Sequence, residues 1–424
     1  MKKTSIWILS LVIFIACTPP EEPPTMDGIA EQYVRLMLEI GQHDSDFVDA
    51  YYGPEEWRPE SKSDSLPSDD FITRANELIS QIQAVEGDKD RKFMLVKQLI
   101  AARTKVEMMN GKMYSFDEEA KLLYDAKPPT YSESYFDSLL MDLENAVPGE
   151  GEPADRYNEF INQFNIPREK LDTVFQTAIE EARTRTMARY DLPENENFVL
   201  EYVTDKSWSG YNYYQGNSQS LIQINTDLPI KISRAIDLAC HEGYPGHHVF
   251  NALLEQNLVN NKGWKEYSVY PLFSPQSLVA EGSANYGIDV AFPGEERMQY
   301  EKEVLFPLAG LDASMADKFY EVQGLIGKLS YAGNEAARMY LNGEISREEA
   351  GKWMEKYQLN EPERALQRTR FFDQYRSYVI NYNLGKDLVA NYIESQGGTA
   401  NQPEKRWEVF KELLSNPNTA STIK

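Results

Sequence analysis

Ile29-Ala-Glu-Gln-Tyr-Val-Arg-Leu-Met-Leu-Glu-Ile40 returns an apolar side chain every three or four residues, the period of a helix with one buried face. The same texture recurs over residues 70–84, 92–108 and 167–190, and again over 276–291, 315–343, 345–354 and 364–395. Ser346 and Glu349 have the spacing of a capping box at the start of one such segment. One region breaks the period. Phe198-Val-Leu-Glu-Tyr-Val-Thr204 and Ser220-Leu-Ile-Gln-Ile-Asn225 alternate, and the Gly/Asn/Ser-rich stretch 209–218 between them predicts a small β-hairpin. The expected fold is mainly α: a large helical bundle, with that hairpin next to the helix carrying the histidines discussed below. Pro and Gly cluster at 148–153, dividing an N-terminal helical region, 26–150, from a helical region, 151–424, that holds the hairpin and the chemistry.

The chain has 424 residues, with 43 Lys and Arg against 67 Asp and Glu, a formal charge of −24. Such a surface repels phosphate and gains nothing from counterion release, which excludes nucleic acid as a partner. At 42% hydrophobic and 12% aromatic the chain is too apolar for disorder. Residues 1–16 read as a lipoprotein signal peptide: Lys2 and Lys3 precede an apolar run from Ile6 to Ala16, too short to span a bilayer. Phe14-Ile15-Ala16-Cys17 resembles a bacterial lipobox, so Cys17 is the expected lipid attachment point. Thr18-Pro-Pro-Glu-Glu-Pro-Pro-Thr25 completes a stiff tether, 17–25. The expected location is extracytoplasmic, anchored to a bacterial membrane through that lipid alone. Cys240, the other cysteine, then has no disulfide partner in the chain and reads as a small buried apolar residue.

Of four histidines, three fall within His241-Glu-Gly-Tyr-Pro-Gly-His-His248. Imidazole is the commonest transition-metal ligand, and His followed by Glu sets a ligand beside a general base. In H-E-x-x-H the two ligands share one helical face, about 6 Å apart along the axis. Here His241 and His247 are separated by about 9 Å and the wrong face on a straight helix, so Pro245-Gly246 must form a two-residue bulge. That makes His247 the preferred second ligand, with His248 supporting a ligand or facing substrate. A catalytic zinc wants a third protein ligand and an open position. Glu281, in Leu278-Val-Ala-Glu-Gly-Ser-Ala-Asn-Tyr-Gly287, is a carboxylate in an apolar helical stretch, where a cation would compensate its burial. Zn2+ is the expected cofactor, and Glu242 the expected proton acceptor as water attacks a carbonyl. Trp208, Tyr211, Asn212, Tyr213 and Tyr214 form an aromatic cluster beside a strand, a platform for a peptide main chain. The overall acid excess favours basic or neutral peptides.

These residues resemble a bacterial family of undefined function whose signature is H-E-x-x-P-G-H-H followed by a helix with E-G-x-x-N-Y. Tyr51-Tyr-Gly-Pro-Glu-Glu-Trp57, Trp208-Ser-Gly-Tyr-Asn212, Ile224-Asn-Thr-Asp-Leu-Pro229 and Phe273-Ser-Pro-Gln-Ser277 extend the likeness over nearly the whole chain. That family is similar to helical zinc metallopeptidases of the carboxypeptidase Taq kind, which use two histidines and a downstream glutamate. The resemblance implies peptidase activity. A C-terminal Tyr-x-x-Gly, here Tyr382 to Gly385, implies Tyr382 as oxyanion donor, with Arg376 and Tyr378 behind it. Two other functions use the same residues: hydrolysis of a non-peptide amide or ester, and capture of peptide or glycan around a structural metal.

Overall fold

The computed structural model describes residues 23–60, 67–206 and 208–424; the expected signal peptide, Cys17 and most of the expected tether lie outside these residues. The fold is mainly α, with two small sheets. The helix Met26–Ile40 buries Ile29, Tyr33, Leu36, Met37 and Ile40, and Thr25 caps it by accepting from the Gly28 amide at 3.1 Å. Ser346 and Glu349 form the capping box of the helix Arg347–Tyr357. The larger apolar core runs from Met26 to Ile423, and a smaller, separate cluster gathers Phe136, Leu140, Leu143, Val322 and Tyr357. No helix among the described residues is long and apolar enough to cross a membrane.

Two long periodic runs are interrupted. Residues 315–343 fold as Ala316–Lys328 and Ala332–Leu341. The run 364–395 breaks at Arg376, where φ is 52°, between the helices Pro362–Tyr375 and Ile380–Ser395. Buried Glu119 holds that break: its Oε2 accepts from Arg376 Nε at 2.7 Å, and its Oε1 accepts from the Ser377 amide at 3.0 Å and hydroxyl at 2.7 Å. Arg376 therefore shapes the chain. Its guanidinium is committed to Glu119, which corrects its expected place at an oxyanion.

The predicted hairpin is also revised. Strands β1 (Val48–Tyr51), β2 (Asn197–Val203), β3 (Gly210–Gly216), β4 (Gln219–Asn225) and β5 (Val269–Pro271) form a β1–β5 pair and a sheet of order β2-β4-β3. The hairpin joins β3 to β4, while β2 lies parallel to β4. Stretch 209–218 is thus largely strand. Asn217 and Ser218, both at positive φ, make the tight turn, as the primed two-residue turns require. Glu255 secures it by accepting from the Asn217 amide at 3.0 Å and from the Tyr214 hydroxyl.

Candidate metal centre

Helix Ser233–Leu238 runs into a π-helical turn, Ala239–Gly243, that carries His241 and Glu242. The chain then leaves the helix at Tyr244, in extended conformation, and a new helix, His247–Leu254, starts at His247. The expected bulge is therefore a break between two helices. Gly246 permits it: a Cβ there would lie 2.0 Å from the His241 carbonyl oxygen and 2.3 Å from that of Cys240. The turn brings His241 Nε2 and His247 Nε2 to 3.2 Å.

Glu281 arrives from the helix Pro275–Ala291. That helix crosses Ile380–Ser395 backbone to backbone at Gly282 and Gly385; a Cβ on Gly282 would lie 2.3 Å from the Gly385 carbonyl carbon. The crossing sets Tyr378 and Tyr382 against Glu281. Tyr378 donates its hydroxyl to Glu281 Oε1 at 2.7 Å, and the Tyr378 and Tyr382 rings meet at 5.9 Å. Glu281 Oε2 lies 3.2 Å from His241 Nε2 and 3.6 Å from His247 Nε2. A tetrahedral ion with bonds of about 2.0–2.2 Å holds its ligand atoms about 3.3–3.6 Å apart, so the three atoms have the spacing of three corners of such a site.

Their chemistry fits a cation as well. Glu281 Oε2 is buried and has no hydrogen-bond donor. Two imidazole nitrogens face each other across the gap, an arrangement that neutral rings satisfy only by one donating to the other. Glu242 is also buried, its carboxyl raised by desolvation, and groups with both histidines within 4.8 Å. Asp49 on β1 stands in electrostatic reach of His247, Glu281 and Glu242, and burial raises it to about 6. Burial alone would lower the His247 imidazole, but the negative charge of Glu281 beside it, with Glu242 and Asp49 nearby, raises it to about 9. Three carboxylates around two imidazoles call for positive charge, and a divalent ion supplies it. Between the two carboxylates near the pair, Glu281 has the closer donor atom, which leaves Glu242 free to handle a proton. His241 is oriented from behind: its Nδ1 lies 3.1 Å from Asn285 Oδ1, and Asn285 Nδ2 donates to the Tyr382 carbonyl at 3.0 Å. Asn285 and Asp49 were not singled out from the sequence; Asn285, one turn after Glu281, offered the i,i+4 signal.

His248 points elsewhere. It is fully buried, with Nδ1 2.9 Å from Ser220 Oγ and Nε2 3.0 Å from Glu196 Oε2. Glu196 also accepts from Tyr244 Oη at 2.6 Å and from Arg183. Burial pushes Glu196 up, but these hydrogen bonds outweigh it and hold the carboxyl at about 2. The ring clamps the break between the two helices and does not face a substrate, a correction to the expectation for it.

The aromatic cluster splits. Trp208 stacks on Tyr211 at 5.4 Å, Tyr211 donates to Asp49 Oδ1 at 2.9 Å, and Tyr213 is exposed. Asn212 and Tyr214 are buried on the other face of β3, and Asn212 Nδ2 donates to the Glu242 carbonyl at 2.7 Å, so Asn212 positions Glu242 rather than facing substrate. Buried Cys240 is pushed above its usual range by desolvation and stays a thiol.

No family model and no curated protein matches the chain. Among solved structures, a candidate lipoprotein from Colwellia psychrerythraea is similar over 83% of this chain, at 15% identity and a TM-score of 0.52. The alignment takes in 65% of that protein, so the chain spans about two thirds of its length. An M32 carboxypeptidase from Deinococcus radiodurans R1 aligns over 91% of this chain and 89% of its own, at 14% identity and a TM-score of 0.36. A candidate lipoprotein of unknown function from Shewanella oneidensis aligns over 82% and 74%, at 13% identity and 0.42. The Colwellia likeness is one of fold, and the other two carry nothing further.

Proposed function

We propose that the protein is a zinc-dependent hydrolase of amide bonds, with peptides as substrate, held outside the cytoplasm by a lipid on Cys17. The observation that carries this reading is the set His241, His247 and Glu281, three donor atoms 3.2 to 3.6 Å apart beside a separate buried carboxylate, Glu242. A structural zinc closes all four positions with protein ligands, whereas three leave one open. When bound, the ion supplies Lewis acidity, polarising a carbonyl and making water nucleophilic near neutral pH. Glu242, raised by burial, takes the proton of the attacking water and passes it to the departing amine. Tyr382, whose hydroxyl feels the charge of both Glu281 and Glu242, is the donor we assign to the developing oxyanion, and Tyr378 holds Glu281 in place. Strand β3 passes over the base, since a Cβ on Gly210 would lie 2.8 Å from Glu242 Oε1, and Trp208 and Tyr211 extend the surface on which a peptide lies. The test is zinc content and turnover of a peptide panel by wild type and Glu242→Gln. One equivalent of zinc in both, with cleavage in wild type alone, supports the reading; no zinc in wild type, or cleavage undiminished in Glu242→Gln, overturns it.

A further inference from the structure

Asp49 stands at a β-bulge. In the β1–β5 pair Val48 faces Pro271 and Ala50 faces Tyr270, so two steps along β1 oppose one along β5, and Asp49 has no partner of its own in the ladder. Such a bulge turns a side chain out of the regular alternation, and bulges gather beside active sites. Two elements fix where Asp49 is. On one side β5 leads directly into the helix Pro275–Ala291, which carries Glu281. On the other, Tyr211 donates its hydroxyl to Asp49 Oδ1 at 2.9 Å, and Gly210, the residue before it on β3, borders Glu242: a Cβ there would lie 2.8 Å from Glu242 Oε1. Asp49 is partly exposed, so a ligand can reach it.

Its charge is unanswered. Buried Glu119, Asp125, Glu196 and Glu266 each meet an arginine or a lysine. Asp49 has no ion pair among the described residues, and its carboxylate accepts from one neutral donor, Tyr211. A divalent ion held by His241, His247 and Glu281 answers the charges of Glu281 and Glu242 and leaves that of Asp49 over. Beside it Trp208 stacks on Tyr211 at 5.4 Å, and a carboxylate next to aromatic rings is the combination that takes an ammonium or guanidinium group.

We propose that Asp49, presented by the β-bulge and held by Tyr211, is the subsite for a cationic group of the substrate next to the bond to be cleaved. This rests on the hydrolase reading and gives it a substrate class. It also turns the preference for basic or neutral peptides, read from net charge, into a property of one residue, because the field of the whole surface is screened over about 8–10 Å while Asp49 acts at contact. The cation is either the free amino terminus of a peptide or a basic side chain.

The test is calorimetric binding to zinc-loaded Glu242→Gln protein of three peptides with amidated C-termini: Ala-Phe-Ala-Ala with a free amino terminus, its N-acetyl form, and N-acetyl-Lys-Phe-Ala-Ala. At least one cationic peptide is expected to bind about tenfold tighter than the neutral N-acetyl peptide, and which of them does identifies the source of the cation. With Asp49→Asn added, that advantage is expected to fall below about twofold while the equivalent of zinc is retained. Asparagine fills the same space and still accepts from Tyr211, so the bulge keeps its shape. A second measurement leaves Asp49 in place: raising salt from about 0.05 M to about 0.5 M is expected to cut the advantage about threefold. Equal binding of all three peptides, no binding at all, an advantage that survives Asp49→Asn or added salt, or loss of zinc in Asp49→Asn overturns the subsite. Wild-type turnover of the same peptides keeps the two readings apart. Cleavage without cation preference leaves the hydrolase and removes the subsite, whereas preferential binding without cleavage does the reverse.

Discussion

His247 and His248 are neighbours in sequence, and each faces a glutamate, yet they belong to opposite kinds of site. Around His248 each partner complements the next: Ser220 at one nitrogen, Glu196 at the other, and Tyr244 and Arg183 closing the carboxylate. Around His247 they do not. Its Nε2 faces another imidazole nitrogen, and the Glu281 oxygen between them has no donor. A buried polar group without a partner is costly, so the first cluster is complete as it stands and the second is complete only with a cation. The closed network also holds the open one in shape, because Tyr244 and His248 bracket the Pro245-Gly246 step that turns His247 toward His241.

The sharpest way to break this contrast is to remove ligands on each side of it. His241→Ala, His247→Ala and Glu281→Ala are each expected to lose the bound equivalent of zinc by elemental analysis, while His248→Ala retains it. Loss in His248→Ala at unchanged fold would dissolve the distinction. Next in size is Glu242→Gln, expected to keep zinc and lower peptide turnover by about 10²–10⁴ in steady-state assays. His248→Ala should instead lower stability, by about 3 kcal/mol in chemical denaturation, since it strands Glu196 with one buried partner gone. Tyr378→Phe removes the hydroxyl that holds Glu281 and is expected to weaken zinc affinity about 10–100-fold in a competition titration, with the melting temperature of the apo protein little changed.

The contrast also marks where sequence reading succeeds. Helices were legible because burial imposes a local period, and Glu281 stood out because a carboxylate amid Leu278, Val279, Ala280 and Gly282 needs compensation. What was not legible depends on distant partners. Arg376 looked poised beside a tyrosine, but its anchor, Glu119, is 257 residues away. His248 could not be told from a ligand without Glu196, 52 residues upstream. Strand β2 reads as one arm of a hairpin because nothing local encodes parallel pairing with β4. Gly282 and Gly385 are invisible singly, since each is required by the other's backbone.

The smallest expected effect follows from Glu196 and sharpens the idea that the closed network supports the open one. Its carboxyl sits at about 2 in the fold, against an ordinary 4.5. A lowered carboxylate contributes stability that is fully present above the unfolded value and is lost as pH falls toward the folded one. Stability from this group should therefore be flat from pH 7 to about 5.5 and decline by about 1 kcal/mol by pH 4. Glu196→Gln, unable to titrate, should lack that share of the decline, so the difference between the two denaturation series isolates it from every other carboxylate. If zinc loss in wild type tracks the same limb, the support is transmitted through Tyr244 and the Gly246 step. Parallel acid limbs in the two proteins would mean that the network around His248 holds its charge without bearing on the fold.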